Sequence, residues 1–180
     1  MKKIYITLSS LFIMIASLNL SIVNVKAATI SKDMINLANT KAQVVASVIV
    51  TPEMDDYSKA VAVHDWICAN SHGSLIDKET DHSIVGPLLL SEGCCEGYAE
   101  TFHLFMKILG VKCRRVEGWA GGGYHEWNEV MINGQYLAMD VMWDDPIVVG
   151  GPDPGGVYSR QYCLISPEVM ALDHSAVKYY

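Results

Sequence analysis

The sequence predicts an α+β fold in which one central helix packs against an antiparallel sheet. Two observations carry that expectation. Tyr98, Phe102, Phe105, Met106 and Leu109 recur at helical spacing, and Gly110 follows as a stop. Downstream, two strand-like runs at 124–132 and 135–143 flank Asn133-Gly134, the strongest short hairpin signal a sequence can carry.

Taken in order, residues 1–27 read as a secretory signal. Lys2 and Lys3 form the charged start, 4–20 is mostly apolar, and Val25-Lys26-Ala27 offers small residues for cleavage. A membrane anchor is the competing reading. Ser9, Ser10, Ser17, Asn19 and Ser21 interrupt the run and leave it short for a stable span. Cleavage after Ala27 would leave 28–180 as a single domain, secreted or associated with the cell wall. The membrane is then met only through an uncleaved signal. Loss of Lys2, Lys3 and Lys26, with no acid in the segment, moves the formal net charge from −7 to −10. Such a balance argues against nucleic acid or an anionic membrane as partner.

Residues 31–50 form an amphipathic helix pattern whose β-branched second half leaves a strand open. Thr51-Pro52 is expected to open a second helix, with Thr51 as cap. Its predicted face is Met54, Tyr57, Val61, His64 and Ile67 or Cys68, and His64 is expected to pack there. Residues 69–92 read as a long loop with solvated His72 and His82. Residues 111–120 read as a strand, and Gly121-Gly122-Gly123 as a flexible tip beside the cleft. After Asp145-Pro146 a Gly- and Pro-rich surface loop is expected at 147–156, then a final edge strand over 158–165. Ser166 is expected to cap a short last helix. Asp144-Asp145 reads as a solvated turn, since two adjacent acids lack the spaced ligands of a calcium loop.

Chemistry concentrates at Gly93-Cys94-Cys95-Glu96-Gly97. Cys95 sits at or next to a helix start, where free N–H groups and the helix dipole favour a thiolate. Gly93 and Gly97 carry no side chain, so another chain can approach the sulfur. By itself a buried packing cysteine would be the better reading. The hairpin changes that balance. With a two-residue turn, His125 faces Met142 and Asp140 faces Trp127. His125 and Asp140 are then diagonal neighbours on one face, with Cβ atoms about 7–8 Å apart. A slip of one residue would separate them. An imidazole held by a carboxylate and facing a thiol is the arrangement of nucleophilic catalysis.

Cys95-Glu96-Gly97-Tyr98-Ala99, His125-Glu126-Trp127-Asn128 and 139–146 (Met-Asp-Val-Met-Trp-Asp-Asp-Pro) together resemble the transglutaminase-like superfamily. Bacterial members carry a pattern close to G-x-C-x-G-Y-A, H-A-W-N and D-x-T-W-D-D-P in this order, and the resemblance runs from about His64 to His174. It implies a papain-like transglutaminase core and a triad of Cys95 as nucleophile, His125 as base and acid, and Asp140 as orienter. Glu126 stands where Ala is usual, Met142 where Thr is usual, and Cys94 where Val is common. None of these departures removes a triad member. Gly93, Gly97 and Trp127 are expected around the cleft, with the Cys95 N–H as first oxyanion donor.

Five cysteines leave four beside Cys95: Cys68, Cys94, Cys113 and Cys163. They could form two disulfides in three pairings, or none, and packed thiols are expected. A vicinal Cys94–Cys95 bridge would strain the peptide between them. A zinc site at Cys94, Cys95, Cys113 and His125 lacks any C-x2-C or H-x3-H pair, so no metal or cofactor is expected. The implied activity is thiol-dependent acyl transfer on glutamine or amide groups of a protein or peptide, with a cell-wall or surface protein among the candidate substrates. Attack by an amine gives cross-linking; attack by water gives peptidase or amidase action. A non-catalytic cell-surface binding domain is the alternative of a different class.

Overall fold

A computed structural model describes residues 29–145 and 158–180. The expected signal at 1–27 and the loop at 147–156 lie outside the described residues. Helix α1 spans Lys32–Ile49, and the Ser31 side chain accepts from the Met34 N–H at 3.2 Å. Its β-branched half stays helical because Ala42, Val45 and Ala46 are buried on one face. Helix α2 spans Asp56–Asn70 and starts later than Thr51-Pro52 suggested. Asp55 is the cap, accepting from the Ser58 N–H at 2.8 Å, while Thr51 closes a separate turn with Met54. A carboxylate at the cap serves the helix dipole better than the Thr hydroxyl. The buried face is Ala60, Val63, His64, Ile67 and Cys68, and Tyr57 is exposed.

The stretch expected to be a loop has internal order. Strands β1 (His72–Gly73) and β2 (Glu92–Gly93) form a short parallel pair. Between them lie a 3-10 turn at Glu79–His82 and a single π turn at Gly86–Leu90. The chain then enters helix α3, Cys95–Ile108. Gly110 follows with φ 70°, the left-handed conformation that ends helices.

The sheet contains β3 (Cys113–Ala120), β4 (Gly123–Ile132), β5 (Gln135–Met139), β6 (Cys163–Ile165) and β7 (His174–Tyr179). Their order is β6-β5-β4-β3-β7, antiparallel throughout. Asn133 and Gly134 both have positive φ, 51° and 86°, so the twist of the two-residue turn matches that of the strands. Ile132 faces Gln135 and Asn128 faces Met139, the expected register. The strand expected to reach 143 ends at Met139. Asp140 instead caps a one-turn helix α4, Val141–Asp144, by accepting from the Trp143 N–H at 3.1 Å. Ser166 caps the short helix α5 at Pro167–Met170 as expected. The edge strand β7 was not legible, because its partner β3 lies more than fifty residues away.

One face of the sheet receives α3, whose Tyr98, Phe102, Phe105 and Met106 are buried with Val130, Ile132 and Met139. Each such side chain contributes about 1.5–3 kcal/mol of apolar burial. On the other face Val116, Trp127, Ala138 and Met170 form a smaller cluster. Asp144 and Asp145 are buried rather than solvated. Asp144 accepts from the Tyr162 N–H and pairs with His64 Nε2 at 3.1 Å, while the Tyr98 hydroxyl donates to Asp145 at 2.5 Å. These partners tie α2, α3 and the C-terminal segment to the end of the hairpin, and His64 is the satisfied packing histidine expected.

Gly93 and Gly97 admit close neighbours, but the neighbours belong to this chain. A Cβ on Gly97 would lie 2.2 Å from the Asp81 carbonyl oxygen, and one on Gly93 would lie 2.8 Å from Pro87 Cγ. The 3-10 turn therefore sits directly on the start of α3, and the Cys94 N–H donates to the same Asp81 carbonyl at 3.0 Å. Gly97→Ala should cost on the order of 1–3 kcal/mol, because backbone rather than a flexible side chain must yield. Chemical denaturation checks this; an unchanged midpoint would contradict the close approach.

Candidate active site

Asp140 lies where β5 ends and α4 begins, which directs one carboxylate oxygen to the helix and the other into the site. Oδ1 caps α4, and Oδ2 receives His125 Nε2 at 2.6 Å. This leaves His125 Nδ1 free of the carboxylate for proton transfer. The pair predicted from the hairpin register is therefore formed, although Asp140 has left the strand. Trp127 and Trp143 enclose the imidazole, with ring centroids 6.2 and 5.5 Å from that of His125.

A second imidazole joins them. His174, the first residue of β7, places Nε2 3.1 Å from the same Asp140 oxygen, and its Nδ1 lies 2.6 Å from Asp173. Sequence reasoning missed it: Asp173-His174 carries no local sign of pairing with β3. Burial alone would raise the Asp140 pKa, but hydrogen bonds from His125, His174 and the Trp143 N–H outweigh it and hold the carboxyl below its usual range. For His174, burial opposes the charged form, yet bonds to Asp140 and Asp173 prevail and raise its pKa. His125, Asp140 and His174 bring three ligand-type atoms within 4.8 Å of one another. Their 2.6 and 3.1 Å separations are hydrogen-bond lengths, so the carboxylate lone pairs a cation would need already receive N–H groups.

Cys95 is the first residue of α3, with Cys94 at the cap. Cys95 and His125 line one cleft of about 520 Å³, together with Cys94, His82, Tyr124 and five carboxylates: Asp77, Asp81, Glu96, Glu117 and Glu126. Trp127 lies beneath His125 rather than on the cleft wall. Glu126 points to the opposite strand face, as expected, and pairs with Arg115.

At the helix start the Cys94 thiol is shifted toward the anion and the Cys95 thiol away from it. Cys94 receives a hydrogen bond from the Cys95 thiol; burial opposes ionisation, and the backbone N–H groups of Gly97 and Glu96 favour it. Its pKa falls to about 6. The bond donated to Cys94 keeps the proton on Cys95 and, with burial, raises the Cys95 pKa. His82 is not merely solvated: it lies 3.4 Å from Cys94 Sγ and bonds Asp77 and Glu96. All five cysteines are free thiols, and Cys68 is buried. Burial pushes Cys113 and Cys163 up to about 12.

The raised His174 pKa sets a pH dependence. A group with a raised folded pKa stabilises fully below its unfolded value, about 6.5, and loses that contribution as pH rises through the folded value. His174→Gln should therefore lower Tm more at pH 6 than at pH 9. An equal loss at both would show that His174 acts by packing alone.

The fold and motifs have counterparts among known proteins. The family profile of the Transglutaminase-like superfamily core matches residues 43–141, more than half of the chain. The kyphoscoliosis peptidases of Homo sapiens and Mus musculus are each 26% identical over 136 residues. These matches cover 66% of this chain and 21% of each peptidase, so the chain spans about a fifth of their length. A solved structure described as a TGase superposes with a TM-score of 0.57 at 12% identity, covering 85% of this chain and 42% of that one. A candidate cysteine protease from Cytophaga hutchinsonii superposes with a TM-score of 0.51 at 21% identity, covering 63% and 43%. The two structural likenesses bear on the fold, a papain-like α+β core, and the profile match with its ordered motifs bears on descent: the chain belongs to the transglutaminase-like superfamily.

Proposed function

We propose that the protein is a thiol-dependent acyl-transfer enzyme acting on amide groups of a protein or peptide, with Cys95 as nucleophile, His125 as base and acid, and Asp140 as orienter. The observation that carries this reading is the buried His125–Asp140 bond of 2.6 Å beside a cleft that Cys95 also lines. Attack begins as the Cys95 proton passes to His125. Sulfur adds to the amide carbonyl, and the backbone N–H of Cys95 donates to the oxyanion. The protonated imidazole then gives its proton to the leaving amine, and a thioester remains. Asp140 fixes the ring and stabilises its charged form in both steps.

The five carboxylates lining the cleft favour a cationic acceptor such as a lysine amine. With water as acceptor the same triad hydrolyses the thioester, and the peptidase named among the relatives supports that second reading. Secretion and a cell-surface substrate belong to this proposal through the signal-like segment at 1–27.

The test is mass spectrometry of a glutamine-containing peptide incubated with the protein and a primary amine. An amine adduct is the expected product; deamidation or a shortened peptide would assign hydrolysis. Cys95→Ala should fall to background and His125→Ala nearly so. Asp140→Asn should lose on the order of 10²–10⁴-fold and keep a residue of activity, because the oxyanion donors remain. Losses within one unit are not additive, so Cys95→Ala/Asp140→Asn should match Cys95→Ala. Full activity in Cys95→Ala would put the chemistry elsewhere, and no product from the parent protein would leave the binding-domain alternative.

A further inference from the structure

A second thiol–imidazole–carboxylate arrangement shares the cleft. Cys94 Sγ lies 3.4 Å from His82 Nδ1, and His82 Nε2 lies 2.5 Å from Asp77 Oδ1. Glu96 approaches the same Nδ1 at 3.0 Å. None of these residues belongs to the arrangement around Asp140. Three neighbouring segments within 77–96 build it: the cap of α3, the 3-10 turn and the segment leading into that turn. Cys94 and His82 are both partly open to the cleft.

We propose that Cys94 is a second reactive thiol, a modification site for small neutral peroxides, with His82 as its proton donor and Asp77 holding the imidazole. The Cys94 thiolate attacks one peroxide oxygen and the O–O bond breaks. An S–OH bond forms on Cys94. The second oxygen departs with the electron pair and takes the proton from the His82 imidazolium, leaving as water or an alcohol. Sulfur is oxidised by two electrons and the peroxide is reduced by two.

The geometry favours this class of reagent for two reasons. A peroxide releases a strongly basic oxygen, so a proton donor 3.4 Å from the sulfur assists where a halide leaving group would need none. The cleft carries Asp77, Asp81, Glu96, Glu117 and Glu126, and their field disfavours anionic oxidants such as glutathione disulfide. The bond to Asp77, with burial opposing and Glu96 assisting, raises the His82 pKa to about 9. With Cys94 near 6, the ion pair is populated between these two values. His125, which lines the same cleft, is bonded to Asp140. The other free thiols Cys68, Cys113 and Cys163 have raised pKa values and serve as internal references.

The experiment treats the full chain with equimolar hydrogen peroxide in the presence of dimedone, which traps sulfenic acid, and maps adducts by tandem mass spectrometry. Cys95→Ser is run beside Cys94→Ser, because an intact pair could close to a disulfide and hide the first site. The expected result is an adduct on Cys94 in Cys95→Ser, formed about ten-fold or more faster than any adduct in Cys94→Ser. Its rate should rise through about pH 6 and fall through about pH 9. His82→Ala should slow it about ten-fold at pH 7, and circular dichroism shows whether that variant is folded. Equal rates in the two cysteine variants, or a folded His82→Ala protein oxidised as fast as the parent, would overturn the assignment. No acyl substrate is involved, so this outcome is separable from failure of the acyl-transfer reading.

Discussion

Asp140 is the residue on which the rest of this site depends. One carboxylate closes a helix end through Oδ1 and gathers His125 and His174 through Oδ2. Fully buried, it would be costly to ionise without those donors. The donors come from β4, β7 and α4, so ionised Asp140 and the assembled sheet edge require each other. The site and the fold share one electrostatic constraint.

The same economy of placement holds at the helix start. The orphan N–H groups of α3 meet two adjacent sulfurs, and only one can occupy the anion position. The Cys94 thiol is shifted toward the anion and the Cys95 thiol away from it. In the proposed acyl transfer, His125 is the destination of the Cys95 proton. Cys94 in turn has its own imidazole, His82, at 3.4 Å.

Local pattern made some of this legible. The Asn133-Gly134 turn fixed the register of β4 and β5, and that register placed His125 and Asp140 together before any coordinates. Ser166 was readable as a cap, and Gly110 as a stop. What stayed illegible depends on long-range closure. His174 reaches Asp140 only because β7 returns to β3, and His82 reaches Cys94 only because the 3-10 turn docks on Gly97. Asp144-Asp145 looked like a solvated turn because their partners, His64 and Tyr98, lie far away in sequence. Gly93 and Gly97 were read as openings for another chain, whereas this chain's own Pro87 side chain and Asp81 backbone fill the space beside them.

The most direct measurement of the central claim is the position of the acyl group. A glutamine-containing peptide is mixed with the protein in the absence of amine, the reaction is quenched in acid, and the thioester is located by tandem mass spectrometry. The account predicts acyl transfer to Cys95, lost in His125→Ala. An acyl group found on Cys94, or one on Cys95 that forms equally well without His125, would contradict it.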